Sequence, residues 1–387
     1  MDELYKKVSE CIDKKTDKYL KFLEDICNFE TNSYDKDGIN KMVDFICEHE
    51  RENGYITERK SFEKAGDVVC MDYNADKTPL ITISAHMDTV YEKGVFGYPP
   101  VTKDDTYIYG PGVADCKGGI AVGFLAMSAL KECGFDAANI RLLLQSDEEV
   151  SSELSKKGTI KYMCEKAKGS IAFLNMEPAR ENGLVVSRKG IIKTRFDVTG
   201  KAAHSKDVTL GINAINEAAF KIAEISKAQL SDNIKFNCGI INGGTAPNVV
   251  PDKCSFTVEC RICKESEYDI AIDFLKNIAN KTFVDGAKTE FTVMSVRVPM
   301  EYNETNKALF NKLNKISEDY GFGTLEPKFS PGGSDAADVT AEGIPAIDSF
   351  GILGDSLHSI NERAKISTLN KSAKFLAAAI IELTKGN

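Results

Sequence analysis

Residues 81–90 constrain the fold more than any other part of the sequence. The first six are mostly apolar and rich in β-branched side chains, which is typical of a buried strand. The run ends in His86 and Asp88, and side chains two residues apart in a strand point to the same face. A neutral imidazole binds divalent metals, and a nearby carboxylate can orient it. The segment predicts a buried strand that leads into a metal site, although a strand with two chance polar residues at its end has the same pattern.

The rest of the chain predicts an α/β fold with an inserted domain. Helices and strands alternate up to residue 178, with helices predicted over residues 117–132 and roughly 153–167, and alternate again after residue 299. This order favours a mostly parallel central sheet flanked by helices. Between these parts the order is β-α-β-β-α-β, a ferredoxin-like α+β arrangement. We therefore predict that residues 1–189 and 299–387 form one domain and that residues 190–298 are inserted into it.

Composition excludes several classes of function. The 387-residue chain has a net charge of −9, and acids are interspersed among its lysines and arginines, so no nucleic-acid binding is expected. No apolar stretch suits a signal peptide or a membrane span, so no membrane association is expected either. The 11 cysteines lack framework spacing and indicate free thiols in a reducing cytoplasm. Cys260 and Cys263 fall on opposite faces of a predicted strand, so we interpret them as structural thiols.

Acid or imidazole groups recur where predicted strands or the following loops end: His86, Asp115, Glu149, Glu177 and His358. The carboxyl ends of strands in an α/β sheet converge on one crevice. Two imidazoles and three carboxylates suit two zinc-like ions that share one bridging carboxylate. Ions in such pairs lie about 3.5–4 Å apart and can hold a bridging hydroxide.

The residues around two of these acids support a catalytic interpretation. Glu148 directly precedes Glu149, so one carboxylate can bind metal while the other acts as general base. A solvated surface pair is the alternative, but the buried strand just before them favours catalysis. The glycine-rich segment 110–119 around Asp115 lacks the Gly-Lys-Ser/Thr ending of a phosphate loop. Its glycines instead allow a tight turn around a metal-bound Asp115.

Taken in order, these motifs resemble a co-catalytic zinc metallopeptidase family. Its members include aminoacylases, acetylornithine deacetylases, succinyl-diaminopimelate desuccinylases and glutamate carboxypeptidases. The resemblance spans nearly the whole chain and rests on these segments: His86-x-Asp88, Gly112-x-x-Asp115-x-Lys117-Gly118-Gly119, Asp147-Glu148-Glu149, Glu177-Pro178, Gly200-Lys201-Ala202-Ala203-His204-Ser205, Asn248-Val249-Val250-Pro251, Arg261, Gly332-Gly333-Ser334-Asp335-Ala336 and His358-Ser359.

The resemblance implies a role for each candidate site residue. Two divalent ions are expected per chain, with Zn²⁺ first and Co²⁺ or Mn²⁺ as alternatives. His86 and Glu177 would bind one ion, Glu149 and His358 would bind the other, and Asp115 would bridge them. Glu148 would be the general base for a hydroxide held between the ions, and Asp88 would support His86. Substrate contacts are implied for four residues: Asn248, Arg261, Gly333 and Ser334.

The resemblance also carries expectations about assembly and local geometry. The inserted domain is expected to act as a lid and to join a homodimer, in which His204 crosses to the partner's active site and stabilises the oxyanion. The peptide bond between Asp115 and Cys116 is expected to be cis. Many relatives have Asp or Met where this chain has Cys116, and we expect the Cys116 side chain to point away from the metals.

Glu177 bears on the substrate. A glutamate here resembles the deacylases and carboxypeptidases of the family, whereas the aminopeptidases and dipeptidases usually carry aspartate. We therefore expect hydrolysis of the amide bond of an N-acyl amino acid or short peptide with a free carboxylate. A dipeptidase or tripeptidase is the alternative within the family. A non-catalytic, metal-stabilised binding protein is the alternative from another class.

Overall fold

The computed structural model describes residues 3–385. In this range the helices are α1 Glu3–Cys27, α2 Lys36–His49, α3 Lys117–Glu132, α4 Gly158–Ala167, α5 Ala214–Lys227, α6 Glu267–Asn280, α7 Glu304–Asp319, α8 Asp335–Ala341 and α9 Ser367–Leu383. The strands are β1 Ile56–Lys60, β2 Val68–Tyr73, β3 Leu80–His86, β4 Thr102–Lys103, β5 Tyr107–Tyr109, β6 Asn139–Gln145, β7 Ser170–Asn175, β8 Gly183–Arg188, β9 Gly190–Thr199, β10 Ala203–His204, β11 Lys235–Gly243, β12 Val249–Val250, β13 Lys253–Ile262, β14 Lys288–Arg297, β15 Glu326–Ser330, β16 Ala346–Ile347, β17 Gly354–Asp355 and β18 Arg363–Lys365.

The described chain divides into two compact units. The first contains residues up to 187, residues 302–329 and residues from 334 onward. The second contains residues 188–301 and the short segment 330–333. The boundaries expected from the sequence, 190 and 298, fall inside the second unit by two and three residues. The functional roles of the two domains stay predictions.

A mixed sheet of six strands organises the first unit. The strand order is β1-β2-β6-β3-β7-β16, and the pairs β6–β3, β3–β7 and β7–β16 are parallel. This confirms the predicted α/β class with a mostly parallel sheet. β3 is buried along all but its first residue, as expected for a central strand covered on both faces. A smaller antiparallel sheet has the order β17-β18-β5-β4.

Helix α3 begins directly after the loop that carries Asp115. It has the predicted bounds, and its residues from Lys117 to Leu130 are all buried, in contact with α1 and α9. Gly119 lies so close to the end of β7 that a Cβ atom there would come within 2.2 Å of the Met176 carbonyl oxygen. Glycine therefore allows the close packing that fixes this helix beside the strand ends.

The second unit has the predicted ferredoxin-like order. Its antiparallel sheet runs β11-β13-β9-β14. Burial alternates along β9 and β13 because one face of the sheet packs on the helices α5 and α6. Phe196 and Phe256 stack in this core with ring centroids 4.5 Å apart. β11 lies at an edge of the sheet and is exposed along most of its length.

Two elements differ from what the sequence predicted. A helix was expected over residues 153–167, but α4 begins only at Gly158. The carboxylate of Asp147 accepts hydrogen bonds from the Ser155 amide and the Thr159 hydroxyl, and this holds the segment in turns. Strand β1 was not predicted because all five of its residues are exposed and show no apolar alternation.

Over the range 3–385, no helix has the length and apolar character needed to cross a membrane.

Candidate metal centre and active site

Three neighbouring strands carry three of the predicted metal ligands to one edge of the sheet. β3 ends at His86, and Glu177 follows the end of β7 by two residues. Glu149 lies in the turns that follow β6. Because β6, β3 and β7 are adjacent and parallel, their carboxyl ends lie side by side. The sheet order therefore explains why residues distant in sequence share one crevice.

The loop that carries Asp115 is held by a buried carboxylate that sequence reasoning missed. Glu362 accepts hydrogen bonds from the backbone amides of Ala114 at 2.9 Å, Asp115 at 3.0 Å and Gly112 at 3.2 Å. It also accepts the Tyr91 hydroxyl proton at 2.6 Å. Burial raises the pKa of Glu362. The sequence offered one signal for Glu362: this acid lies four residues after the candidate ligand His358 and directly before strand β18.

His358 reaches the cluster from the loop between β17 and β18. Its φ of 58° lies in the left-handed region, and Nε2 lies 3.2 Å from Glu149 Oε2 and 3.4 Å from Asp115 Oδ2. The side chain is 53% exposed, whereas those of Glu149 and Asp115 are at most a tenth exposed. His358 thus forms the solvent-exposed wall of an otherwise buried cluster.

The two oxygens of Asp115 face different histidines. Oδ1 lies 3.0 Å from His86 Nε2, and Oδ2 lies 3.4 Å from His358 Nε2. Glu177 Oε1 lies 3.7 Å from the same His86 nitrogen. The cluster therefore consists of two halves, His86 with Glu177 and His358 with Glu149, joined by one carboxylate. This geometry suits two cations that share a bridging ligand.

The charges of the cluster also fit bound cations. The carboxyl groups of Asp115, Glu149 and Glu177 lie around the imidazoles of His86 and His358, and the buried Glu148 adds a further negative charge near Glu149. Burial opposes ionisation of Asp115, but its hydrogen bonds to both histidines prevail and lower the pKa. Hydrogen bonds to Asp115 and Glu149 raise the pKa of His358 to about 11. Burial raises the pKa of Glu149 to about 8. Carboxylates and neutral imidazoles are ordinary ligands of zinc, so the residues present fit divalent ions.

Asp88 positions the loop of the two adjacent glutamates. Its carboxylate accepts the backbone amides of Glu148 and Glu149, both at 3.1 Å, and the Ser33 hydroxyl at 2.7 Å. The backbone carbonyl of Asp88 lies 3.0 Å from His86 Nδ1, closer than its carboxylate at 3.5 Å. Its carbonyl thus orients the imidazole, with Nε2 on the side of the cluster. Its carboxylate orients the loop that carries Glu148.

Cys116 lies closer to the cluster than expected. The Asp115–Cys116 peptide bond is cis, as expected. The side chain, however, does not point away: Sγ lies within 4.8 Å of ligand atoms of His86 and Glu177. It donates a hydrogen bond to the Met176 carbonyl at 3.0 Å. The expectation was wrong because sequence spacing does not determine the direction of a side chain in an irregular loop.

The second unit contains three of the other predicted site residues. His204 is exposed, and its Nδ1 accepts the Lys206 amide at 3.2 Å. Asn248 is also exposed, while its backbone carbonyl accepts the Ser205 amide at 3.0 Å. Arg261 is half-buried and donates to Glu259 at 2.8 Å and to the Pro331 carbonyl at 2.9 Å. The roles of these residues stay predictions.

Gly333 and Ser334 have structural contacts in addition to any contact with substrate. A Cβ atom at Gly333 would come within 2.3 Å of Arg297 Cδ, so glycine permits the approach of this arginine. Ser334 is fully buried, and its hydroxyl donates to Asp348 at 2.5 Å. The predicted substrate contacts of Gly333 and Ser334 stay predictions.

Comparisons with known proteins define the class of this chain as a metallohydrolase. The model of Peptidase family M20/M25/M40 matches residues 82–382. Carboxypeptidase G2 of Pseudomonas sp. (strain RS-16) is 30% identical over 376 residues, which cover 95% of this chain and 89% of that protein. The chain therefore belongs to the peptidase family M20/M25/M40.

Two solved structures have the same fold as this chain. A tripeptidase from Staphylococcus aureus has a TM-score of 0.80 at 21% identity, with 96% of this chain and 99% of that chain covered. A dinuclear metal binding peptidase of the M20 family from Bacillus subtilis has a TM-score of 0.69 at 16% identity, with 96% and 99% covered. At these identities the likeness concerns the fold alone.

Proposed function

We propose that this protein hydrolyses the amide bond of an N-acyl amino acid or short peptide with a free carboxylate, using two divalent metal ions. The observation that carries the proposal is Asp115, whose two oxygens face the two histidines of the cluster. The 30% identity with a carboxypeptidase over most of the chain supports the reaction class. Zn²⁺ is the proposed metal because imidazole and carboxylate form its usual catalytic ligand sets.

Each residue of the cluster has a defined task in this proposal. His86 and Glu177 hold one ion, Glu149 and His358 hold the other, and Asp115 is shared. When bound, the ions supply the Lewis acidity that activates water and polarises the scissile carbonyl. Glu362 and Asp88 keep the loops of these ligands in place through their hydrogen bonds to backbone amides.

Glu148 is the proposed general base. It is 7% exposed and directly precedes the ligand Glu149, and Asp88 fixes the backbone amides of both glutamates. In this position Glu148 takes a proton from the attacking water and passes it to the leaving amine. Such a proton shuttle needs a carboxylate beside the metal ligands but not among them, which is the role that remains for this residue.

Arg261 is proposed to bind the substrate carboxylate, together with Asn248. A guanidinium group carries five N–H donors, and the contacts of Arg261 with Glu259 and Pro331 use two of its nitrogens. It can therefore bind a carboxylate while it keeps these contacts. Recognition of a carboxylate favours a deacylase or carboxypeptidase over an aminopeptidase.

We also propose a homodimer joined through residues 190–298. β11 lies at the sheet edge, and its Ile240 and Ile241 are 59% and 52% exposed. An exposed apolar edge strand is suited to pairing with another chain. His204 would then act in the partner's active site. Because its Nδ1 accepts a backbone proton, the neutral ring carries its own proton on Nε2, which can donate to an oxyanion.

The compartment proposed is a reducing one, such as the cytoplasm. All 11 cysteines of the chain are unpaired, and six of them are buried: Cys11, Cys27, Cys70, Cys116, Cys254 and Cys260. Unpaired thiols in this number are typical of proteins that fold where disulfides do not persist.

A substrate panel tests the function. Metal-loaded protein is offered N-acyl amino acids and dipeptides, each with a free and with an amidated carboxyl terminus. The proposal expects turnover of N-acyl amino acids with a free carboxylate and little turnover of their amides. Faster cleavage of peptides with a free amino terminus would indicate a dipeptidase or tripeptidase instead. No turnover of any compound by protein with its metals bound would favour a binding protein.

Metal analysis tests the centre separately. Loaded protein should contain about two ions per chain, and Glu149→Ala should lower this number because it removes a ligand of one half of the cluster. At most one ion at saturation in the unmodified protein, or an unchanged content in Glu149→Ala, would contradict the two-ion centre.

A further inference from the structure

A cavity in the first unit is independent of the metal cluster. Its volume is about 470 Å³, and none of the five proposed metal ligands lines it. Its wall is formed by the start of β8, the loop after α7, the segment after β16 and the first turns of α9. Cavities of this size hold small organic molecules.

One part of the wall is positively charged. Arg180, Lys365 and Lys371 line the cavity, against a single acid, Glu181. None of the three cations forms an ion pair with another residue that the structure describes. In a chain with a net charge of −9, such a local excess of positive charge favours an anionic occupant.

Two backbone features strengthen the attraction for an anion. Helix α9 begins at Ser367 without a side-chain cap, and Ser367 and Thr368 line the cavity. The first amides of a 17-residue helix carry partial positive charge. Ser349 also lines the cavity, and its hydroxyl is buried without a hydrogen-bond partner in the described chain. A buried polar group without a partner is costly, so a hydrogen bond between this hydroxyl and an occupant of the cavity would be stabilising.

Another part of the wall is aromatic. Phe350 and Phe375 stack with ring centroids 5.2 Å apart, and Phe322 lies 5.4 Å from Phe375. All three rings line the cavity. A flat apolar body can pack on such faces through offset or edge contacts.

From these features we propose that the cavity binds a small organic anion with an aromatic body. Its charged group, a carboxylate, sulfonate or phosphate, lies near Lys365, Lys371 and the Ser349 hydroxyl. Its ring packs on the phenylalanines. This site does not depend on the proposed hydrolase function, because it shares no residue with the metal cluster.

Three probes separate charge from shape in calorimetric titrations of the full chain at constant ionic strength. Benzenesulfonate carries both features and is a weak ligand for divalent metals. Methanesulfonate lacks the ring, and methyl phenyl sulfone lacks the charge. Benzenesulfonate should bind one to each chain, and the other two probes should bind about tenfold more weakly or worse.

Variants then locate the site. The double variant Lys365→Gln/Lys371→Gln should weaken benzenesulfonate binding about tenfold. The control Lys168→Gln/Lys312→Gln changes two exposed lysines outside the cavity and should bind as the unmodified chain does. Ser349→Ala should weaken binding without lowering the thermal midpoint of the free protein, because its hydroxyl has no partner there. The proposal is overturned if benzenesulfonate binding does not saturate. It is also overturned if benzenesulfonate binds to both the double variant and Ser349→Ala as tightly as to the unmodified chain.

Discussion

The metal cluster of the first unit and the His204 loop of the second unit present their candidate residues in opposite ways. His86, Asp115 and Glu177 are at most 8% exposed, and each lies within hydrogen-bond or ion-pair distance of another cluster member. His204 and Asn248 are exposed. The structure gives the His204 ring one hydrogen bond, to a backbone amide two residues along the chain.

This difference separates two ways of building a site. The residues of the cluster are held by the fold itself, since the sheet fixes the strand ends and Glu362 and Asp88 fix the loops. The side chains of His204 and Asn248 in the second unit are exposed, so their proposed function depends on a substrate or another chain. Substitutions in the first unit should therefore affect metal binding or chemistry, and those in the second unit should affect recognition or assembly.

The largest effect is expected for Glu148→Gln. An amide of the same shape cannot accept the proton, so kcat should fall roughly 10²–10⁴-fold while metal content stays unchanged. Turnover and elemental analysis of the same preparation measure both. A variant with kcat close to that of the unmodified enzyme would exclude Glu148 as the base, and a loss of metal would make it a ligand.

The second prediction tests whether the second unit needs a partner chain. His204→Ala should lower kcat about 10²–10³-fold, the usual cost of losing one oxyanion donor. Mixing inactive Glu148→Gln and His204→Ala chains should restore activity, because one site of a mixed dimer then receives both intact groups. The control is a mixture of Glu148→Gln with Glu149→Ala, in which both lesions lie in the metal cluster.

Complementation has clear contrary outcomes. If the mixed dimers form and no activity returns, His204 does not act on the partner's site. In the control mixture of Glu148→Gln with Glu149→Ala, each chain carries a lesion in its own metal cluster, so no activity should return. Should the protein be a stable monomer, the proposal of action in the partner is wrong, and His204 could reach a metal centre only in its own chain.

The third prediction concerns the buried support of the cluster. The carboxylate of Glu362 accepts the backbone amides of Gly112, Ala114 and Asp115. Glu362→Gln keeps the size of the side chain but replaces one of these acceptor oxygens by an NH₂ donor, so part of this support is lost. Metal affinity should fall about 10–100-fold, as for other residues that orient metal ligands. Titration with a chelator measures it. Glu382→Gln, a change at a distant glutamate on α9, is the control. Unchanged affinity would mean that the loop holds its geometry without Glu362.

Residues that act through strand order could be predicted from the sequence, and those that act through distant contacts could not. His86 and Glu177 follow apolar runs, and the parallel sheet then places them together. Glu362 lies 247 residues from the Asp115 amide that it binds, and Ser33 lies 55 residues from Asp88. No local pattern reports such pairs, because each is created only when the chain folds.

Local chemistry also limited the prediction of elements. The bounds of α3 were correct because its apolar run starts after glycines and ends before Gly134. The start of α4 was not, since Asp147 holds the preceding turns through Ser155 and Thr159. Side-chain hydrogen bonds to nearby backbone groups compete with helix formation, and the sequence does not tell which of the two prevails.

The smallest effect is expected for Arg261→Lys, which tests recognition in the second unit. Lysine keeps the charge but loses the planar pair of donors that matches a carboxylate. KM for substrates with a free carboxylate should rise about tenfold, with kcat nearly unchanged. Substrates with an amidated carboxyl group should show no such rise. Arg195→Lys is a matched control, because this exposed arginine of β9 pairs with Asp197 instead. Arg261 also donates to the Pro331 carbonyl, so an equal rise in KM for both substrates would assign it to holding that loop and not to binding the carboxylate.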